Sequence, residues 1–166
     1  MKLKEAKRSF IQTWARLGGE WGINRTMAQV HALLLCSDKA LSTDEVMEEL
    51  SISRGNANMN LRELMNWNLA YRETVAGERR EYFRAEKDIW EVAKRIARER
   101  KKREIEPLMR ELSQMGKVEE NSADAKQFVK MVGDIQGLAG KMDKSVETML
   151  KADENWFFGA ILKLLR

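Results

Sequence analysis

Between Leu3 and Leu17 the apolar positions Leu3, Ala6, Phe10, Trp14 and Leu17 recur every three or four residues, with Lys and Arg between them. That is the period of a helix burying one stripe, and Gly18-Gly19 is its expected end. A second helix is expected from Asn24, a good cap residue, with Met27, Val30, Leu34 and Leu35 apolar and Ser37-Asp38 closing it. Ser42-Thr43-Asp44-Glu45 has the form of a capping box: the serine oxygen accepts from the amide three residues on, and the glutamate reaches back. The short helix behind it carries Val46, Met47 and Leu50 inward. Ser51-Ile52 is a tight connection, and Ser53 caps a fourth helix ending near Trp67.

The period then changes. Leu69 to Val75 and Arg80 to Arg84 read as two short strands around Ala76-Gly77-Glu78, a hairpin pattern. Asp88 caps a long helix running past Arg103, with Pro107 as a kink or break. A further helix runs from about Ser122 to Leu150, and the tail from Trp156 to Arg166 is apolar and amphipathic. The expected fold class is mainly α with a small β-hairpin. A winged helix-turn-helix over residues 24–87 follows an N-terminal dimerisation helix (1–23) and precedes a helical region (88–166) for dimerisation and for an effector, if there is one.

Composition narrows this picture a little. Of 166 residues 43% are hydrophobic, enough for a core, and 34% are charged. Cys36 is the lone cysteine, so no intramolecular disulfide forms and a reducing compartment fits. The N-terminus lacks the apolar run of a signal peptide, and no stretch approaches the roughly 20 apolar residues of a membrane span. A cytoplasmic protein without membrane contact is expected, the apolar tail serving dimerisation. A net charge of +4 permits a polyanionic partner without requiring one.

The candidate chemistry lies on the fourth helix. Ala57, Leu61 and Leu64 share one face, and the opposite face carries Gly55, Asn58, Met59, Arg62 and Asn66, with Asn56 at its edge. Asn and Gly weaken helices, so such a stripe is unusual on an ordinary solvated surface. Asn pairs bidentately with an adenine edge, and Arg with a guanine edge or a phosphate. Glycine admits close backbone approach, and amides at a helix start favour phosphate. The expected DNA-binding residues are Ser53, Arg54, Gly55, Asn56, Asn58, Met59 and Arg62 on a recognition helix spanning 53–66, with Arg79 and Arg80 on a wing at 76–80. For Arg72 and Arg84 on the strands, guarding a sheet edge against pairing is an equal reading.

Other constellations carry less. His31 and Cys36 are five apart with no further His or Cys to complete a zinc site, so neither a metal nor a cofactor is expected. No nucleophile elbow, phosphate loop or second histidine is present, and no catalytic residue is assigned. The tryptophans Trp14, Trp21, Trp67, Trp90 and Trp156 are scattered, which favours packing over an aromatic cage. The basic run from Lys94 to Arg103 reads as a solvated helix, with contact to flanking phosphates as the lesser alternative.

The runs SISRGNANMNLRELMNWNLAYRETVAGERREYFRAEKDIW and LGGEWGINRTMAQVHALLL resemble the MarR-type winged-helix regulators, specifically their GbsR-like branch. The resemblance covers roughly the first two thirds of the chain. It implies a homodimeric transcription regulator, with repression the expected outcome, whose first and last helices build the dimer. Its two recognition helices would read a pseudo-palindromic operator in double-stranded DNA. Members of that branch include regulators that respond to small quaternary-ammonium compounds. Beyond Ser113 no motif matches, so the identity of a small-molecule effector does not carry over. The alternative is a winged helix used for protein interaction, which would more naturally set apolar anchors where this chain has Asn, Arg and Gly.

Overall fold

The structure, a computed structural model, describes residues 1–20, 22–74 and 76–152. The chain divides into two compact units, Met1–Val92 and Ala93–Arg166.

In the first unit α1 (Leu3–Glu20) lies against α2 (Arg25–Cys36). The expected stop at Gly18-Gly19 is not one. The helix continues because Gly18 is buried against α2: a Cβ there would stand 2.8 Å from that of Ala28. Glycine at this position permits the helices to close. The actual stop is Gly22, at φ +75°, in a left-handed turn that few L-residues adopt cheaply. Around it the Ile23 amide donates to the Gly18 carbonyl (2.8 Å) and the Gly22 amide to that of Gly19 (3.1 Å), the paired closure of a Schellman motif.

The remaining caps follow the sequence. Asn24 Oδ1 accepts from the Met27 amide (3.1 Å) at the start of α2. At the start of α3 (Thr43–Leu50), Ser42 Oγ accepts from the Glu45 amide (3.3 Å) while Glu45 Oε2 accepts from the Ser42 amide (2.8 Å), completing the capping box. Ser53 Oγ accepts from the Asn56 amide at the start of α4 (Arg54–Asn66). That helix ends in a second Schellman closure, with Asn68 at φ +57° and the Leu69 amide donating to the Leu64 carbonyl (2.8 Å). Ala57, Leu61 and Leu64 of α4 are at most 1% exposed, as are Val30 and Leu34 of α2 and Val46 of α3. These residues form the core that fixes the helix-turn-helix.

The sheet has three strands rather than two. β1 (Leu41–Ser42), β2 (Ala70–Glu73) and β3 (Tyr82–Ala85) are antiparallel in the order β1-β3-β2. Leu41 faces Phe83 across one ladder, and Arg72 faces Phe83 across the other. β1 is too short to show a period, which is why it is invisible in the sequence. Phe83 and Ala85 point inward and are buried, while Tyr82 and Arg84 alternate outward. Arg80 stands before β3, in the loop.

Asp88 Oδ1 accepts from the Trp90 and Glu91 amides (2.9 and 3.1 Å) and so caps α5 (Ile89–Arg100) as expected. A widened π turn follows at Lys101–Ile105, then α6 (Glu106–Met115) and α7 (Ala123–Lys151), the last capped by Ser122. Pro107 sits near the start of α6, where its missing N–H costs little; the irregular stretch lies just ahead of it. Within the second unit α6 packs on α7, burying Leu112, Ala125, Val132 and Ala139. No helix among the described residues is long and apolar enough to cross a membrane. The apolar tail from Trp156 to Arg166, with Trp156 itself, and Trp21 lie outside the described residues.

Candidate nucleic-acid interface

Three residues join α3 to α4. Ser51 adopts a left-handed turn (φ 52°), and the Ile52 amide returns to the Met47 carbonyl (3.1 Å). This tight joint sets α4 with its N-terminal half outward. Ser53, Arg54, Gly55, Met59 and Arg62 are exposed, and Asn56 and Asn58 are half-buried. Met59 is 59% exposed.

Several of these side chains are held from within the protein. Arg54 Nη2 donates to Asp44 Oδ1 at the start of α3, and the Thr43 hydroxyl donates to Asn58 Oδ1 (3.2 Å). Asn60 is buried, and its Nδ2 donates both to the Asn56 carbonyl (2.8 Å) and to Asn56 Oδ1 (2.7 Å). Arg62 makes no ion pair with any described residue. Thr43, Asp44 and Asn60 are not among the residues that the sequence places at the interface. Asn60 had a local signal, since it lies four residues from Asn56 on one helix. The other two contacts cross between helices and leave none.

The wing separates into paired and unpaired charges. Arg72 bridges to Glu81 (2.8 Å) and Arg84 to Glu73 (2.7 Å), both pairs spanning β2 and β3 or their ends. These two arginines therefore act as cross-strand ties. Arg79 and Arg80 stay exposed in the loop beyond Gly77 (φ +82°), without an ion pair among the described residues. Between the start of α3 and β3 lies an open cleft of about 470 Å³ lined by Lys39, Asp44, Glu45, Arg80, Tyr82 and Arg84. Its charges are largely matched. Lys39 bridges Glu45 (2.6 Å), which raises the lysine pKa and lowers that of the glutamate. The Tyr82 hydroxyl donates to Glu78 (2.7 Å), which pushes the phenol pKa up.

Behind the interface, His31 is buried on α2, and its Nδ1 accepts from Trp14 Nε1 (3.3 Å). Burial first, and the nearby Lys87 charge second, push its pKa down to about 4. Lys87 donates to the carbonyls of Leu34, Leu35 and Ser37 (2.7 Å each), capping the C-terminus of α2. Burial raises the Cys36 thiol pKa, which suits an inert cysteine rather than a reactive one. Trp67 is buried and donates to Glu63 (2.9 Å). No group of three His, Cys, Asp or Glu among the described residues converges as a metal set. The basic run is engaged with acids: Arg100 with Glu104, Arg103 with Glu99, and Lys101 with Asp143 and Glu147 (3.0 and 2.7 Å).

No family model and no curated protein matches the chain. Among solved structures, a transcriptional regulator aligns with TM-score 0.67 and 20% identity over 87% of this chain and 95% of that one. A Staphylococcus aureus MepR variant bound to an oligodeoxyribonucleotide aligns with TM-score 0.40 and 13% identity, covering 98% of this chain and 91% of that one. Apo MarR from Escherichia coli aligns with TM-score 0.38 and 12% identity, covering 98% and 90%. At these identities the likeness concerns architecture, and it rests on the first alignment: the chain has a winged helix-turn-helix fold with flanking helices.

Proposed function

We propose that this chain is a homodimeric, sequence-specific DNA-binding transcription regulator of the MarR type, in its GbsR-like branch. α4 enters the major groove, and the loop carrying Arg79 and Arg80 rests on the flanking backbone. The branch assignment rests on the two sequence runs quoted above, and with it comes a small-molecule effector as part of the proposal. One observation carries the DNA reading: the outer face of α4 between Arg54 and Arg62 presents hydrogen-bond donors, a glycine and an exposed methionine, and no acid. A helix face of that kind complements base edges and phosphates and has little use in plain solvent. A protein-docking winged helix would set a cluster of apolar anchors there, and Met59 alone is not a cluster.

The test is fluorescence anisotropy with the DNA upstream of the chain's own gene, against a random duplex, across a salt series. Salt-steep binding that favours the upstream fragment by orders of magnitude is expected. Arg62→Ala is expected to cost about 1–3 kcal/mol of specific binding, while Arg79→Ala weakens all sequences alike and lowers the salt slope by about one. Equal, weak binding to both duplexes, unaffected by either substitution, overturns the proposal.

A further inference from the structure

An asparagine facing the major groove reads adenine by donating from Nδ2 to N7 and accepting at Oδ1 from the N6 amino group. That requires both ends of the carboxamide to face the duplex. On α4 they do not.

Asn60 is 3% exposed and sits on the inner side of the helix. Its Nδ2 has two hydrogens, and both are used: one goes to the Asn56 carbonyl at 2.8 Å, the other to Asn56 Oδ1 at 2.7 Å. A backbone carbonyl has no hydrogen to give, so the nitrogen of Asn60 must face it. The side-chain atom of Asn56 that meets the second hydrogen must then be its oxygen. The orientation of Asn56 is thereby dictated by a chain of donors beginning in the buried layer. Asn58 is turned the same way, with Oδ1 receiving the Thr43 hydroxyl at 3.2 Å. Both carboxamides keep their oxygens toward the protein and their N–H pairs free. Arg62 adds five donors and no acceptor, Met59 a methyl group, and Gly55 nothing. Asp44 is occupied by Arg54. Glu63 is turned toward Trp67 and Asn66.

Resting on the DNA-binding reading above, we propose that α4 is, from Gly55 to Arg62, a donor-only reader whose contacted bases are guanines, and that Asn60 is the positioning residue that imposes this choice. In the major groove only guanine offers two adjacent acceptors, N7 and O6. Adenine sets an amino donor beside its N7, which would face the outward N–H of Asn56 donor to donor.

The experiment is selection by the full chain from duplexes with a randomised core, followed by methylation interference at guanine N7 on the recovered sequences. Enrichment of guanine at the contacted half-site positions is expected, with N7 methylation there abolishing binding. Asn60→Leu, which removes the inner donors while keeping a buried side chain of similar size, is expected to reduce guanine-over-adenine discrimination at one position about tenfold or more and to leave affinity for random duplex unchanged. Thr43→Val is expected to do the same at a different position. Replacing the selected guanines by 7-deazaguanine tests the same point with the unaltered protein, and binding is expected to fall. Adenine-led half-sites, indifference to N7 methylation and to 7-deazaguanine, or an unchanged preference in folded Asn60→Leu overturns this inference alone. No enrichment of any sequence overturns the DNA reading and this inference with it.

Discussion

The two units differ in what they do with their apolar side chains. In the first unit α2, α3 and α4 seal a core of large ones, Val30, Leu34, Val46, Leu61 and Leu64 being at most 1% exposed, although Leu3, Met59 and Ile89 stay exposed. From Ala93 to Ala152 the largest stay in water. Phe128, Met131, Ile135, Leu138 and Met142 of α7 are 42%, 48%, 43%, 62% and 56% exposed. Their spacing of three and four is that of a helix seam, and it lies apart from the face on which Ala125, Val132 and Ala139 are buried. Among the described residues nothing covers this seam, and in the dimer proposed above we assign it to the second copy. The core between α2, α3 and α4 is closed within one copy, while α1 of the same unit keeps Leu3, Phe10 and Leu17 at least 36% exposed. Stability is therefore expected to behave as a property of one chain in the α2–α4 core and of two along the α7 seam.

The strongest test of that contrast is Leu64→Ala. Opening a cavity in the sealed core is expected to cost about 2–5 kcal/mol, read by calorimetry as a lower Tm. A loss below about 1 kcal/mol would show that this core is not close-packed. Next comes pH. His31 is neutral in the folded state with its pKa lowered to about 4, while the unfolded chain has the ordinary histidine value. As pH falls below about 6.5 the unfolded state takes up the proton first, so the histidine contributes fully above that pH and progressively destabilises the fold down to about 4. Between pH 7.5 and pH 5 the loss attributable to His31 is expected to be about 2 kcal/mol, and His31→Leu should flatten it. A parent and a variant with parallel pH profiles would remove His31 from the account.

Substitution in the second unit should read out differently. Leu138→Lys is expected to shift the mass in sedimentation equilibrium from two chains toward one, and to remove the concentration dependence of Tm. An unchanged mass of two chains would place the dimer contact elsewhere. The smallest effect belongs to Arg100→Ala. Its i, i+4 bridge to Glu104 is solvent-exposed, so the loss should stay within about 0.5 kcal/mol, measured by urea unfolding.

Local chemistry explains what could be read in advance. Asn24, Ser42 with Glu45, Ser53, Asp88 and Ser122 each satisfy amides within three residues of themselves, so the helix starts were visible in the sequence. The inner face of α4 was visible for the same reason, as a period. What escaped depends on distant chain. β1 exists because Leu41 and Ser42 meet β3 some forty residues on. Gly18 continues α1 because Ala28 needs the space. At the interface the residue types on α4 were legible, but the direction in which each asparagine points was not. For Asn56 that direction is decided by Asn60, and the Asn58 oxygen is met by Thr43 of another helix.

The π turn at Lys101–Ile105 bears on how the chain tolerates a change of length. A π turn carries about one residue more than an α-turn. Twelve residues separate Ile96 from Leu108. At about 100° per residue a regular helix would point these side chains about 120° apart. With one residue absorbed by the wide turn they come within about 20° of each other. Deleting one residue between Lys101 and Ile105 would therefore restore a regular helix while keeping Leu108, Leu112 and Met115 on their present side. The same deletion inside α6 would swing everything after it through about 100°.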